Sequence, residues 1–223
     1  MNAVISGVSM VANPATMTNP MAHPSLAPLQ SPAQGRAETP IAFIKAIAAA
    51  YTQRGFDVSE ALIKSQIEPK LLNKSNARVT AMQMELISGI AMQTLDDEGL
   101  GWFSRRMPWG SYGMLARASL TSPTLGVALT RWCRHHGLLI DDIRLRLTER
   151  NGIATLQLEE ARDLGMFREF CVVSVLRNAL GVACWLTDSR ISLTATHLCF
   201  SPPTHADSYR VLFEGPTHFD ASH

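Results

Sequence analysis

Apolar positions along this chain follow two periods, and the change between them divides it into a helical first half and a second half that carries a sheet. Ile41, Ile44, Ile47, Ala48 and Tyr51 recur at three- and four-residue steps, the spacing of one helical face. Thr39-Pro40 ahead of them supplies a cap residue and a proline at the first helical position, which predicts a first helix running to Gly55. Asp57 with Glu60, and Thr80 with Gln83, have the spacing of capping boxes. They predict a short second helix through Ile63 and a longer third one whose Met82, Leu86, Ile90 and Leu95 face one way. Gly99 to Arg106 reads as a strand, Pro108 and Gly110 turn the chain, and Ser111 to Leu120 winds a short helix. Ser122-Pro123 then starts a further helix that Gly137 ends.

From Ile143 the period becomes two. Ile143, Leu145 and Leu147 alternate with Arg144, Arg146 and Thr148, and Asn151-Gly152 is the dipeptide that a tight hairpin prefers. With Arg150 opposite Ile153, Leu147 faces Leu156, Leu145 faces Leu158, and Arg144 faces Glu159 on the wetter side. A helix apolar on most sides is predicted from about Leu164 to Leu186, a strand over Arg190 to Phe200, a short helix from Thr204, and a last strand after Gly215-Pro216. The fold class expected is α+β: an antiparallel sheet covered by helices, with a helical N-terminal half.

Residues 1–38 differ from the rest, with Pro14, Pro20, Pro24, Pro28 and Pro32 among Ala, Ser, Met and Asn. Prolines remove backbone donors, and so little bulk leaves almost nothing to bury. This segment is expected to be a disordered, dispensable tail, with one domain over residues 39–223. The chain as a whole, 46% hydrophobic and 17% charged, is long enough for a sizeable core. A formal net charge of +1 offers no footprint for phosphate, so this segment is not expected to hold DNA by itself. Cys133, Cys171, Cys184 and Cys199 lack CxxC spacing and fit a reducing cytoplasm. The N-terminus lacks the basic start of a signal peptide, and no run was expected to be long enough to span a bilayer.

Catalytic signatures are missing from the sequence. Gly110-Ser111-Tyr112-Gly113 is not a GxSxG elbow, and there is no GxGxxG, GxxxxGK[ST] or HExxH pattern. The Cys133-Arg134-His135-His136 cluster and the His197-Leu198-Cys199 pair bring metal-ligand types together. Leu125, Leu129, Trp132, Cys133 and His136 nevertheless share one helical face, which is the pattern of core packing, and neither a metal nor a cofactor is expected. Small-molecule pockets are mostly apolar with a few polar anchors. On that criterion the candidates are Arg177 with Phe170, Ser174 and Gly181, spaced by four, three and four on the long helix. Arg177 can grip a carboxylate with two donors, and Gly181 leaves room. Trp109 and Tyr112, flanking Gly110-Ser111, would wall the same cavity. The bland alternatives are that Arg177 extends into solvent along its stem or pairs with a core carboxylate, and that the two aromatic residues simply pack in the core.

Several blocks in order carry a resemblance: YTQRGFDVSEALIKSQIEP, NARVTAMQMELI, LDDEGLGWFSRR leading to GSYGMLARASLTSPTLGVAL, and CFSPPTHADSYRVLFEGPTHFD. Together, over about residues 40–220, they resemble the N-terminal, arabinose-binding-type domain of AraC-type transcriptional regulators. The resemblance implies a small-molecule effector, a homodimer, and promoter DNA contacted through two C-terminal helix-turn-helix units. The sequence ends at His223 without those units, so the expectation is the sensing part of a longer regulator. The resemblance leaves the effector's identity open. The alternatives are a stand-alone binding protein or enzyme using the same pocket, and a sensor that has lost its ligand and only dimerises.

Overall fold

The structure, a computed structural model, describes residues 4–10 as backbone and residues 31–221 in full. Its main sheet has five strands: β1 (Val4–Met10), β4 (Ile143–Arg150), β5 (Ile153–Glu160), β6 (Leu193–His197) and β7 (Thr217–His218), in the order β4-β5-β1-β6-β7. A second pair, β2 (Ala37–Pro40) with β3 (Arg78–Thr80), precedes the third helix. The helices are α1 (Ile41–Gln53), α2 (Ser59–Lys64), α3 (Ala81–Thr94), α4 (Ser111–Leu120), α5 (Leu125–Leu139), α6 (Arg168–Thr187) and α7 (Tyr209–Leu212). The class is α+β, as the two periods predict.

The hairpin has the expected register: Arg150 is opposite Ile153, Leu147 opposite Leu156, Leu145 opposite Leu158 and Arg144 opposite Glu159. Asn151 and Gly152 both have positive φ, at 53° and 74°, the conformation of a type I′ turn. Leu156 and Leu158 are fully buried, whereas Leu145 and Leu147 on the edge strand are half-buried.

Several expectations are corrected. Val4–Met10, inside the presumed tail, is the central strand of the sheet, with Val8 opposite both Leu156 and Thr196. Ser6 and Gly7 weaken its strand signal, but β5 and β6 each offer an unpaired ladder that it completes. Residues 1–3 and 11–30 of that tail lie outside the described residues. Second, Thr39 belongs to β2 and Pro40 is the cap position of α1, with no side-chain cap bond. Asp57 likewise accepts from Ser59 N–H and Ser59 Oγ in a turn, and no capping box forms at α2, whose cap position is Val58.

Third, α3 does carry the Thr80–Gln83 capping box, but it buries Gln83, Ile87 and Ala91 and leaves Met82 exposed. Fourth, α5 begins after Thr124, whose hydroxyl accepts from Val127 N–H, and passes Gly137 to end at Leu139. Finally, β7 runs parallel to β6 in an otherwise antiparallel sheet.

The 23 residues Gly165–Thr187 are long and apolar enough to cross a membrane, contrary to expectation, though half of that window is buried inside the fold. Nine residues of α6 are core, and Phe170 shows why: it stacks on Phe43 of α1 at 5.1 Å and meets Trp102 edge-on at 5.0 Å. A helix that is apolar all round is a core helix when the protein surrounds it. Burying one such side chain is worth about 1.5–3 kcal/mol.

Candidate functional site

The segment Gly99 to Arg106, expected as a strand, is a loop organised by carboxylates. Asp97 Oδ1 accepts from Gly99 N–H and Met107 N–H, both at 3.0 Å, while Oδ2 accepts from Gly101 N–H at 3.0 Å and from the Arg54 guanidinium. Asp96, Leu100 and Gly101 have positive φ, which an extended strand does not allow. Buried backbone donors must find acceptors, and here a single carboxylate serves three of them. Burial opposes the charge on Asp142 in the same region. The Arg162 guanidinium and the two Ser104 donors outweigh that burial and hold the carboxyl below its usual range.

The next carboxylate builds the start of α4. Glu98 Oε1 accepts from Gly110 N–H at 2.8 Å and Oε2 from Tyr112 N–H at 2.6 Å. Gly110 sits at φ 98°, a left-handed cap that an L side chain would strain. A negative charge at a helix N-terminus also opposes the helix dipole favourably. Asp96 Oδ1 accepts from Trp109 N–H at 3.0 Å. Three successive carboxylates, Asp96, Asp97 and Glu98, thus fix the backbone that presents Trp109 and Tyr112.

Trp109, Tyr112, Arg177 and Gly181 line one cavity of about 550 Å³ between α4, α5 and α6. Phe170 and Ser174 do not reach it. They line an adjoining cavity of about 530 Å³ with Phe43, Met84 and Trp102. Arg177, Asn178 and Met92 border both. The stripe read along α6 is therefore real as a row but serves two compartments, with Arg177 at their common lip. Arg177 is exposed and makes no hydrogen bond or ion pair with any described residue. Phe170 is mainly a core residue, at 4% exposure.

The cavity also has lining residues that the sequence reading does not name as site residues, Trp185, Asn178, Trp132 and Met92 among them. Trp185 continues the stripe one turn past Gly181, at the same four-residue step, so the spacing could have found it. Asn178 adjoins Arg177. Trp132, read as core, is buried and also borders the cavity, where Tyr112 stacks on it at 5.8 Å with ring planes 17° apart. Met92 comes from α3, and nothing local in the sequence signals it. Tyr112 is partly exposed, but its hydroxyl is buried, near the Asn178 side chain yet without a well-formed hydrogen bond among the described residues; burial raises the phenol above its ordinary value, and Asn178 pulls it the other way.

Cys133 and His136 lie in the α5 core; burial pushes the Cys133 thiol up to about 12 and the His136 imidazole down to about 4. His197 stacks on His218 at 4.9 Å. Among the described residues no group of three or more His, Cys, Asp or Glu side chains is arranged to hold a metal ion.

No curated protein matches the chain. A family model described as the arabinose-binding domain of AraC transcription regulators, N-terminal, matches residues 55–223. That match covers most of the chain, including the carboxylate-built loop and all of α4, α5 and α6, and the family is one of regulatory ligand-sensing domains, not of enzymes. The chain belongs to the N-terminal arabinose-binding domain family of AraC transcription regulators.

Proposed function

We infer that this chain is the effector-sensing part of a cytoplasmic AraC-type regulator and that its effector binds in the cavity between α4, α5 and α6. The observation that carries the reading is a mostly apolar cavity of about 550 Å³ with an arginine at its lip that has no partner among the described residues. Pockets of that size and lining are what small ligands fill. The ligand would bind one conformation better than another and so bias a C-terminal helix-turn-helix module, with a homodimer as the acting unit. No step of this requires catalysis.

The test is an unbiased search for retained small molecules by mass spectrometry, with the purified chain exposed to a metabolite extract. The expected result is a compound held by the wild type and lost from Gly181→Leu. A Cβ at Gly181 would meet nothing within 4 Å, so the leucine should fold normally and fill ligand space. Retention unchanged by Gly181→Leu would remove the assignment of the cavity, and a chemically altered compound would favour an enzyme.

A further inference from the structure

The donor and acceptor inventory of the cavity bears on the chemistry of what it takes, given the proposal that it is the effector site. Its walls are aromatic and small: Trp109 and Trp185 are 52% and 60% exposed, Trp132 and Tyr112 stack at its side, and Gly181 leaves open space where a side chain would stand. Among the polar lining residues, Glu98 has both carboxylate oxygens engaged by backbone N–H groups and is 5% exposed. It is spent as an acceptor. What remains open to a ligand is a donor: the Arg177 guanidinium is exposed and has no partner among the described residues, whereas the Trp132 indole N–H and the Tyr112 hydroxyl, which can donate or accept, are buried in the wall without a partner there. Asn178 can serve either way.

A pentose presents four hydroxyl groups, each of which both donates and accepts, and a site for it needs free acceptors and a polar rim. This cavity has apolar planes instead, its one acidic side chain engaged by backbone N–H groups and its one cationic side chain, Arg177, unpaired among the described residues. We propose that the ligand is an aromatic or similarly apolar monocarboxylate, its ring lying against Trp109 and Trp185 and its carboxylate held by the planar fork of Arg177. The family's descriptive name thus does not give the chemistry of this member's ligand. Arginine suits the task because two parallel N–H donors match two carboxylate oxygens, which a lysine ammonium cannot reproduce.

Three of the chain's four tryptophans border the cavity, so intrinsic fluorescence reports on it directly. The probe is naphthalene-2-carboxylate, titrated into the full chain against its neutral amide and against L-arabinose, with calorimetry as a second readout. The expected result is saturable binding of the acid, with the amide at least about tenfold weaker and arabinose without effect into the millimolar range. Arg177→Ala should weaken the acid by at least about tenfold while leaving the amide unchanged, and Arg177→Lys should restore little of the loss. Gly181→Leu should weaken acid and amide together at unchanged circular dichroism.

Equal binding of acid and amide, no saturable binding of the acid, or binding of arabinose would overturn the ligand class. If Gly181→Leu still abolishes whatever binds, the cavity itself stands as the site. Binding insensitive to Gly181→Leu would overturn both the class and the site.

Discussion

Glu98 Oε2 accepts the backbone N–H of Tyr112 at 2.6 Å, so a charge in the loop before α4 holds the residue that walls the cavity. Its neighbour Asp97, whose side chain is 2% exposed, does the same for three N–H groups and Arg54. Asp97→Asn turns one acceptor oxygen into a donor facing other donors. The expected cost is about 2–4 kcal/mol by urea denaturation, because buried partners are left unpaired. Glu98→Gln keeps one acceptor and should cost less, yet it should loosen the start of α4 and weaken ligand binding.

The two faces of the hairpin should respond differently to charge. Leu156→Asp and Leu158→Asp, at fully buried positions, should cost several kcal/mol, of the order of the whole stability of a domain. Leu145→Asp and Leu147→Asp, on the half-buried edge strand, should cost less. Arg146→Gln should stay within about half a kcal/mol. Chemical denaturation of the five variants checks the ranking, and equal costs on both faces would refute the burial pattern.

His136 predicts an acid sensitivity. Burial lowers its pKa from 6.5 to about 4, so it is neutral in the folded protein. Below pH 6.5 the unfolded chain takes up a proton that the folded one refuses. Stability is therefore complete above pH 6.5 and falls as the pH drops toward 4. Between pH 7 and pH 5 the loss should be about 2 kcal/mol. Both ring nitrogens are buried without partners among the described residues, so His136→Phe should flatten this dependence, measured as the difference in urea midpoint at the two pH values. An unchanged slope in the variant would assign the sensitivity elsewhere.

Removing residues 1–10 should lower the thermal midpoint and promote aggregation. The deletion takes out β1 and leaves β5 and β6 as two unpaired edges, which is the usual template for intermolecular pairing. Scanning calorimetry with light scattering measures both effects. A midpoint equal to that of the full chain would show that β1 adds nothing to the sheet's stability.

What could be read in advance was what neighbouring residues decide among themselves. The Asn151-Gly152 turn and the alternation around it set the hairpin register, and Thr80 with Gln83 closed their reciprocal cap. Tertiary context decided the rest. Gly99 to Arg106 alternates like a strand, but the Asp97 carboxylate gathers its N–H groups into a loop. On α3, Met82 is the more hydrophobic residue, yet Gln83 is buried because its side chain also donates to Gln66 O at 2.6 Å. In the site, the row on α6 was visible from spacing alone. Its division between two cavities was not, since that depends on where Met92 and Trp132 arrive from α3 and α5.

The central position of β1 also bears on how the chain acquires its shape. β1 precedes every other described element, yet its partners are Ala154–Glu159 and Leu193–Thr196. During synthesis it can be paired on one side only once Ala154–Glu159 has followed, and on the other only once Leu193–Thr196 has. Contacts so distant in sequence form slowly, because the intervening loop must close before they give any return. Until then the hairpin and β6 stand apart with open edges. A nascent chain interrupted before β6 would therefore hold β1 with at most one of its two ladders paired, and the other edge open.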